Sequence, residues 1–397
     1  MKKKRAAPPR RPPEAAPATQ RNPRTRAAEP AAAPRSTDPP PARRAERAER
    51  PAPSARGRGT GGREFAPWRS EELPRFAGVP TFLRLPEIPP EGSSAVDVVL
   101  VGAPFDGGTS FRPGARLGPR AVREASALAR RFSPALGIDI FDELAVADAG
   151  DVRVNPHQLD EALEAIAVRA EAIARSGVIG GWVGGDQTIT LGVLRGLQRA
   201  KLRSVGLLHI DAHDNAAGPA WGSRIHHGSV IRVAVEEGLV RPEHTLQVGL
   251  RGPWSSGDEL DFSLKQGFEV VDVDEVRWDL HAAIRAVRKL VRTGPIYVSV
   301  DVTALDPAFA PGVSLPLPGG MTTWELQQLL RALVGADIVG FDVVEIAPPY
   351  DPIGLTALVG VTAIQEVLAA IADTRRSARP APSTQGDAPR RGRRLSP

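Results

Sequence analysis

The sequence contains no cysteine. That absence excludes disulfide frameworks, thiolate zinc sites and cysteine nucleophiles, and it suits a reducing compartment. No apolar run approaches the roughly 18–20 residues that a membrane helix needs. The basic start Met1-Lys2-Lys3-Lys4-Arg5 leads into Pro8, Pro9, Pro12 and Pro13 with no apolar signal-peptide core behind it. These absences give the expectation of a soluble, cytoplasmic protein with no membrane partner. Neither Gly-x-Gly-x-x-Gly nor Gly-Lys-Ser/Thr follows the first strand-like segments, so nucleotide binding has little support. No internal repeat is visible.

Charge is unevenly spread. Residues 1–63 hold 17 Lys+Arg against 5 Asp+Glu, residues 374–397 hold 7 against 1, and residues 64–373 hold 27 against 40. The net +5 of the 397-residue chain therefore belongs to its ends, while the middle carries a net −13, which argues against a basic binding groove across it. Segment 1–63 has no aromatic residue and no Val, Leu or Ile. It cannot bury enough apolar surface to offset the entropy of ordering. The expected organisation is a disordered, basic, Pro/Ala/Arg-rich tail at 1–63, an α/β domain at 64–373 and a second disordered basic tail at 374–397. If nucleic acid is a partner, the tails are where it binds; solvated extensions with only non-specific contacts are the other reading.

Within the middle segment, short runs of branched apolar residues predict strands at 96–102, 177–185, 204–211, 245–249, 269–274, 296–302 and 338–346. Amphipathic patterns predict helices at 118–130, 159–175, 188–201, 229–237, 280–292, 323–333 and 355–373. Continuous apolar strands separated by amphipathic helices indicate a mostly parallel sheet covered on both faces, a three-layer α/β/α sandwich.

Ligands of such sheets collect outside the carboxyl ends of the strands. Three ends carry unusual polar groups. The run through Ile210 ends in Asp211-Ala212-His213-Asp214-Asn215, whose alternate residues project to one side if the chain stays extended. A second ends in Asp301-Val302-Thr303, and a third in Gly184-Gly185-Asp186-Gln187-Thr188. A carboxylate and an imidazole two apart, facing a second carboxylate, suit one divalent ion. The alternative is that each Asp caps the following turn and His213 is a satisfied buried histidine. His226-His227-Gly228 opens a helix. Glu345 sits deep in an apolar strand, where an ionised side chain needs an internal Arg or a pocket that receives a cation. A structural ion pair remains the plainer reading.

These residues resemble the ureohydrolases, the arginase and agmatinase superfamily, most closely the agmatinase branch. The resemblance spans nearly all of 64–373. Gly102-Ala103-Pro104-Phe105-Asp106, Arg112-Pro113-Gly114-Ala115-Arg116-Leu117-Gly118-Pro119, Asp148-Ala149-Gly150-Asp151-Val152, Gly184-Gly185-Asp186, Asp211-Ala212-His213, Ser299-Val300-Asp301, Asp306-Pro307 with Ala310-Pro311-Gly312, Pro318-Gly319-Gly320 and Glu345 follow in the family's order. It implies an arginase-like fold, a homo-oligomer (trimer or hexamer) and hydrolysis of a small guanidino compound to urea and an amine. It also implies two manganese ions held by two His and four Asp.

Carried over by position, Asp211, His213 and Asp301 survive as metal ligands, while Gln187, Asn215 and Thr303 replace the other three. Asp211 and Asp301 can balance one dication. Two dications about 3.5–4 Å apart repel by roughly 19 kcal/mol at an effective dielectric of about 20, so an intact binuclear site is not expected. A single divalent ion, Mn foremost and Zn, Fe or Ni otherwise, is the reduced alternative. The resemblance gives His227 and Asp301 catalytic parts, and Glu345 with His227 the substrate. Two functions follow: a one-metal amidinohydrolase, or a catalytically degenerate homologue that keeps the fold and a guanidinium pocket as a binding or scaffold protein. Trp221 and Trp254 either line the pocket mouth or pack; loops 215–225 and 254–258 would set specificity.

Overall fold

Eight strands share one sheet, and every pairing within it is parallel. The computed structural model describes residues 65–89, 95–202, 204–254 and 256–379. In chain order the strands are β1 (Val98–Ala103), β2 (Phe132–Ser133), β3 (Ile138–Asp139), β4 (Val146–Asp151), β5 (Ile179–Gly184), β6 (Val205–Ile210), β7 (Val240–Leu250), β8 (Glu269–Asp272), β9 (Ile296–Asp301) and β10 (Ile338–Val344). The two shortest, β2 and β3, form a separate antiparallel pair. The remaining eight lie in the order β4-β1-β5-β10-β9-β6-β7-β8.

The helices are α1 (Gly118–Ala125), α2 (Ile140–Glu143), α3 (Leu159–Arg175), α4 (Thr188–Arg199), α5 (Val230–Glu236), α6 (Asp261–Gln266), α7 (Val273–Trp278), α8 (Leu280–Val291), α9 (Thr323–Arg331) and α10 (Leu355–Ala378). Apolar residues on one face of the sheet pack with those of α1, α8, α9 and α10, and residues on the other face pack with those of α3, α4 and α5. Strands buried on both sides have no need to alternate apolar with polar residues. That is why β1, β6 and β9 are buried at every position.

The expected three-layer α/β/α sandwich is the observed one, with corrections. Strand β4 was not expected: Val146-Ala147-Asp148-Ala149-Gly150-Asp151 has one β-branched residue and two carboxylates, yet it pairs with β1 at the edge of the sheet. Its buried Asp148 is tolerated because Arg123 binds it at 2.8 Å while lying over the Phe82 ring. Helices α6 and α7, of six residues each, also escaped the periodicity.

Helix α10 continues to Ala378, past the boundary drawn at 373. From residue 380 onward that tail, like the one at 1–63, lies outside the described residues. The expectation that no segment has membrane-spanning length and apolarity also falls, since α10 meets both criteria. Its most apolar window is 78% buried inside the fold, as in a core helix.

Candidate functional site

The sheet order sets β10 between β5 and β9, with β6 beyond β9. The carboxyl ends of these four strands therefore lie side by side, carrying Gln187, Glu345, Asp301 and Asp211. Close approach of β5 to the chain after β1 depends on Gly185, because a Cβ there would collide with the Phe105 carbonyl oxygen.

Strand β6 stops at Ile210, so the alternate projection expected for Asp211, His213 and Asn215 does not occur. Asp211 turns the chain by accepting the His213 backbone N–H at 2.9 Å. Asn215, in a left-handed conformation at φ 50°, curls back and donates its amide to Asp211 Oδ2 at 2.5 Å. Asp301 likewise caps its own turn, accepting the Thr303 N–H at 2.7 Å. The capping alternative thus holds for both aspartates. His213 is not a buried histidine: its side chain is 28% exposed, with Nδ1 3.4 Å from Asp211 Oδ1.

Asp211 is wholly buried and surrounded. Its Oδ1 accepts the Thr303 hydroxyl at 2.8 Å, and its Oδ2 lies 3.1 Å from His209 Nε2. Burial opposes ionisation, but contacts with His209 and His213 outweigh it and hold this carboxyl far below the usual range. Asp301 goes the other way, pushed well up by burial and then by the charges of Asp211 and Glu345. Arg251 fixes the turn after β9, its buried guanidinium donating to the carbonyls of Thr303, Ala304 and Leu305.

Gln187 is locked from behind. The hydroxyls of Thr190 and Ser299 spend their hydrogens on Asp342, so they can only accept from Gln187 Nε2, both at 2.9 Å. Tyr297 completes the buried set around Asp342 at 2.7 Å. Gln187 Oε1 is buried without a partner.

Glu345 lies one residue beyond β10, not inside the strand, at φ 66°. A non-glycine residue in that conformation costs of order 1–3 kcal/mol and is typical of functional sites. The turn aims a buried carboxylate at no arginine. Instead Oε1 accepts the Gln187 N–H at 3.0 Å and faces His227 Nδ1 at 3.2 Å, while Oε2 accepts the Ser314 hydroxyl at 2.5 Å. His227 Nε2 accepts the Ser110 N–H at 3.3 Å, which in the neutral ring leaves the proton on Nδ1, toward Glu345. Burial lowers the His227 pKa, but Glu345 and then Asp186 and Asp211 raise it by more. Asp186 is itself pushed up to about 6, first by burial and then by Glu345.

A cavity of about 110 Å³ opens between these ends, lined by His213, Asn215, His227, Asp301, Thr303 and Glu345 among others. Asp211 and Gln187 lie behind its wall. Its ionisable lining is two imidazoles, His213 and His227, and four carboxylates, Asp214, Glu259, Asp301 and Glu345, with no Lys or Arg. Ser110, Ser314, Asp214, Glu259 and His209 were not foreseen. Only Asp214, inside the run from Asp211 to Asn215, and His209, two residues before Asp211, had a local signal. Trp221 does not line the cavity; it tips an exposed turn at φ 48°, and Trp254 borders a separate hollow beside Arg251.

The donor set does not fit a binuclear metal centre. Among the described residues no three His, Asp or Glu side chains gather into a metal-binding group, Asp211, His213 and Asp301 included. Both Asp211 oxygens already accept hydrogen bonds, Oδ1 from the His213 N–H and the Thr303 hydroxyl and Oδ2 from Asn215.

A family model for the arginase family matches residues 96–370. Guanidinopropionase of Pseudomonas aeruginosa is 43% identical over 310 residues, 78% of this chain and 96% of that protein. Guanidinobutyrase of the same organism is 41% identical over 305 residues, 76% of this chain and 95% of that protein. The structure of proclavaminate amidino hydrolase from Streptomyces clavuligerus aligns with a TM-score of 0.72 at 36% identity, covering 76% of this chain and 99% of that one.

Proposed function

The chain belongs to the arginase family, and from that premise we propose that it binds a small guanidino compound on Glu345 without carrying out the family's two-metal hydrolysis. Relatives named for guanidinopropionate and guanidinobutyrate supply the ligand class. One observation carries the loss of hydrolysis. Asn215 and Thr303 each donate to a different oxygen of Asp211, and the His213 N–H takes a second position on Oδ1, so hydrogen bonds occupy acceptor positions that a divalent ion would use.

The binding half rests on Glu345. A buried carboxylate aimed into a cavity with no Lys or Arg in its lining is costly until a cation arrives. A guanidinium is planar, always charged and able to bind a carboxylate through paired N–H donors.

A second reading is hydrolysis of the guanidino C–N bond to urea and an amine with one divalent ion, Mn, Zn, Fe or Ni. It is favoured by the position of His213 and Asp301 on the same cavity wall as Glu345 and His227. Calorimetric titration with agmatine, run beside a urea assay in added Mn, separates the two. The binding reading expects heat of association and no urea. Metal-dependent urea release that disappears in Asp301→Ala would overturn it.

A further inference from the structure

The net negative charge of residues 64–373 argued against a basic groove, yet the fold gathers five arginines at one place. Arg69, Arg75, Arg84, Arg130 and Arg131 line a hollow of about 520 Å³, separate from the Glu345 cavity. It forms where the segment before β1 lies against the chain that follows α1. Two carboxylates, Glu71 and Asp139, share its wall. Asp139 is committed to Arg131, at 2.9 Å.

The other four arginines make no ion pair among the described residues. Backbone carbonyls hold two of them instead. Arg75 donates to Ala127 O at 2.5 Å and to Ala129 O at 2.9 Å, and Arg84 donates to Leu73 O. Arg84 is only 9% exposed and is delivered by two consecutive non-glycine residues with left-handed backbone, Leu83 at φ 55° and Arg84 at φ 60°. Burial, then the charges of Arg130 and Arg84, lower the Arg75 pKa, so these guanidinium groups are close enough to repel. Carbonyl dipoles orient such a cluster but leave its charge unneutralised. Two aromatic residues, Trp68 and Phe132, also line it, and Phe132 is more than half exposed.

We propose that this hollow is a binding site for a small phosphate ester with a planar body, its phosphates held by Arg75, Arg84 and Arg130 and its ring against Phe132. Several guanidinium groups lining one hollow match the several oxygens of a phosphate group better than a single carboxylate. The volume lies within the range of about 300–1,000 Å³ typical of small-molecule sites. Five arginines in one hollow of an acidic domain give an anionic ligand an attractive place on that domain.

ADP is the probe, titrated into the full-length chain by calorimetry, with adenosine and inorganic phosphate as partial ligands. One ADP per chain is expected, at least about tenfold tighter than either partial ligand. Arg130→Ser should weaken ADP about tenfold while leaving agmatine binding at Glu345 unchanged. Because Arg84 is buried and its replacement can unfold the segment, exposed Arg130 carries the test, with Arg75→Ser as its companion. No association with ADP, or equal affinity for ADP and phosphate, would overturn the proposal. So would ADP binding that Arg130→Ser and Arg75→Ser leave intact, which would place the ligand on the basic chain ends.

Discussion

Thr303 donates its hydroxyl hydrogen to Oδ1 of Asp211 over 2.8 Å. That bond ties the ends of β6 and β9 together directly, and Asn215 closes the other Asp211 oxygen from the opposite side. A hydroxyl and an amide thus satisfy by hydrogen bonding a carboxylate that an ion would otherwise satisfy by charge.

Supplying the ligand types that the family resemblance implies should create a metal site. Gln187→His, Asn215→Asp and Thr303→Asp, combined, are expected to raise bound Mn per chain from trace toward two, measured after incubation and desalting. The triple variant should lose stability without metal, because it brings added carboxylates against Asp211 and Asp301. A triple variant that takes up no metal would mean the strand ends themselves have moved.

Glu345→Gln keeps the acceptor for the Gln187 N–H and removes the charge. Hydrogen bonds to a charged group contribute about 1.5–3 kcal/mol. Agmatine affinity should fall by roughly 10- to 100-fold, with an unchanged circular dichroism spectrum. Equal affinity in the two proteins would move the guanidinium elsewhere.

The cavity should discriminate by charge at the ligand's far end. Its lining pairs Asp214 and Glu259 with no Lys or Arg. A dication such as agmatine is expected to bind about tenfold more tightly than 4-guanidinobutyrate at low salt, with the gap narrowing as salt rises. Glu259→Lys should reverse the order. This preference would set the chain apart from its relatives named for guanidino acids.

The sign of the pH dependence follows from His227. Its pKa is raised above 6.5 in the folded chain, because Glu345, Asp186 and Asp211 together outweigh burial. The folded state therefore binds this proton more firmly than the unfolded one. Its stabilising contribution is complete below about pH 6.5 and is lost as pH rises through the raised value. The protonated ring also competes with a guanidinium for Glu345. Agmatine affinity should rise as pH passes upward through that raised value, while His227→Gln flattens both the affinity profile and the matching part of the melting profile.

The sequence made the layers and the four strand ends legible because strands covered on both faces read as unbroken apolar runs. Glu345 was found the same way, as a carboxylate out of place among Phe341, Val343, Val344 and Ile346. What followed each strand was not legible. Whether Asp211-Ala212-His213 continues extended or turns is decided by the Asp211 carboxylate binding the next backbone N–H, a choice that alternation does not encode. Ser110 and Ser314 reach the site from loops distant in sequence, where no spacing rule applies. The arginine hollow shows the limit of net charge as a guide, since five cations scattered from 69 to 131 meet only in three dimensions.

The most direct measurement is metal content per chain by inductively coupled plasma mass spectrometry, on protein purified without chelator and again after incubation with Mn, Zn, Ni and Fe. The account expects well under one ion per chain under every condition, alongside intact agmatine binding. One tightly held ion per chain, lost in Asp301→Ala, would contradict it.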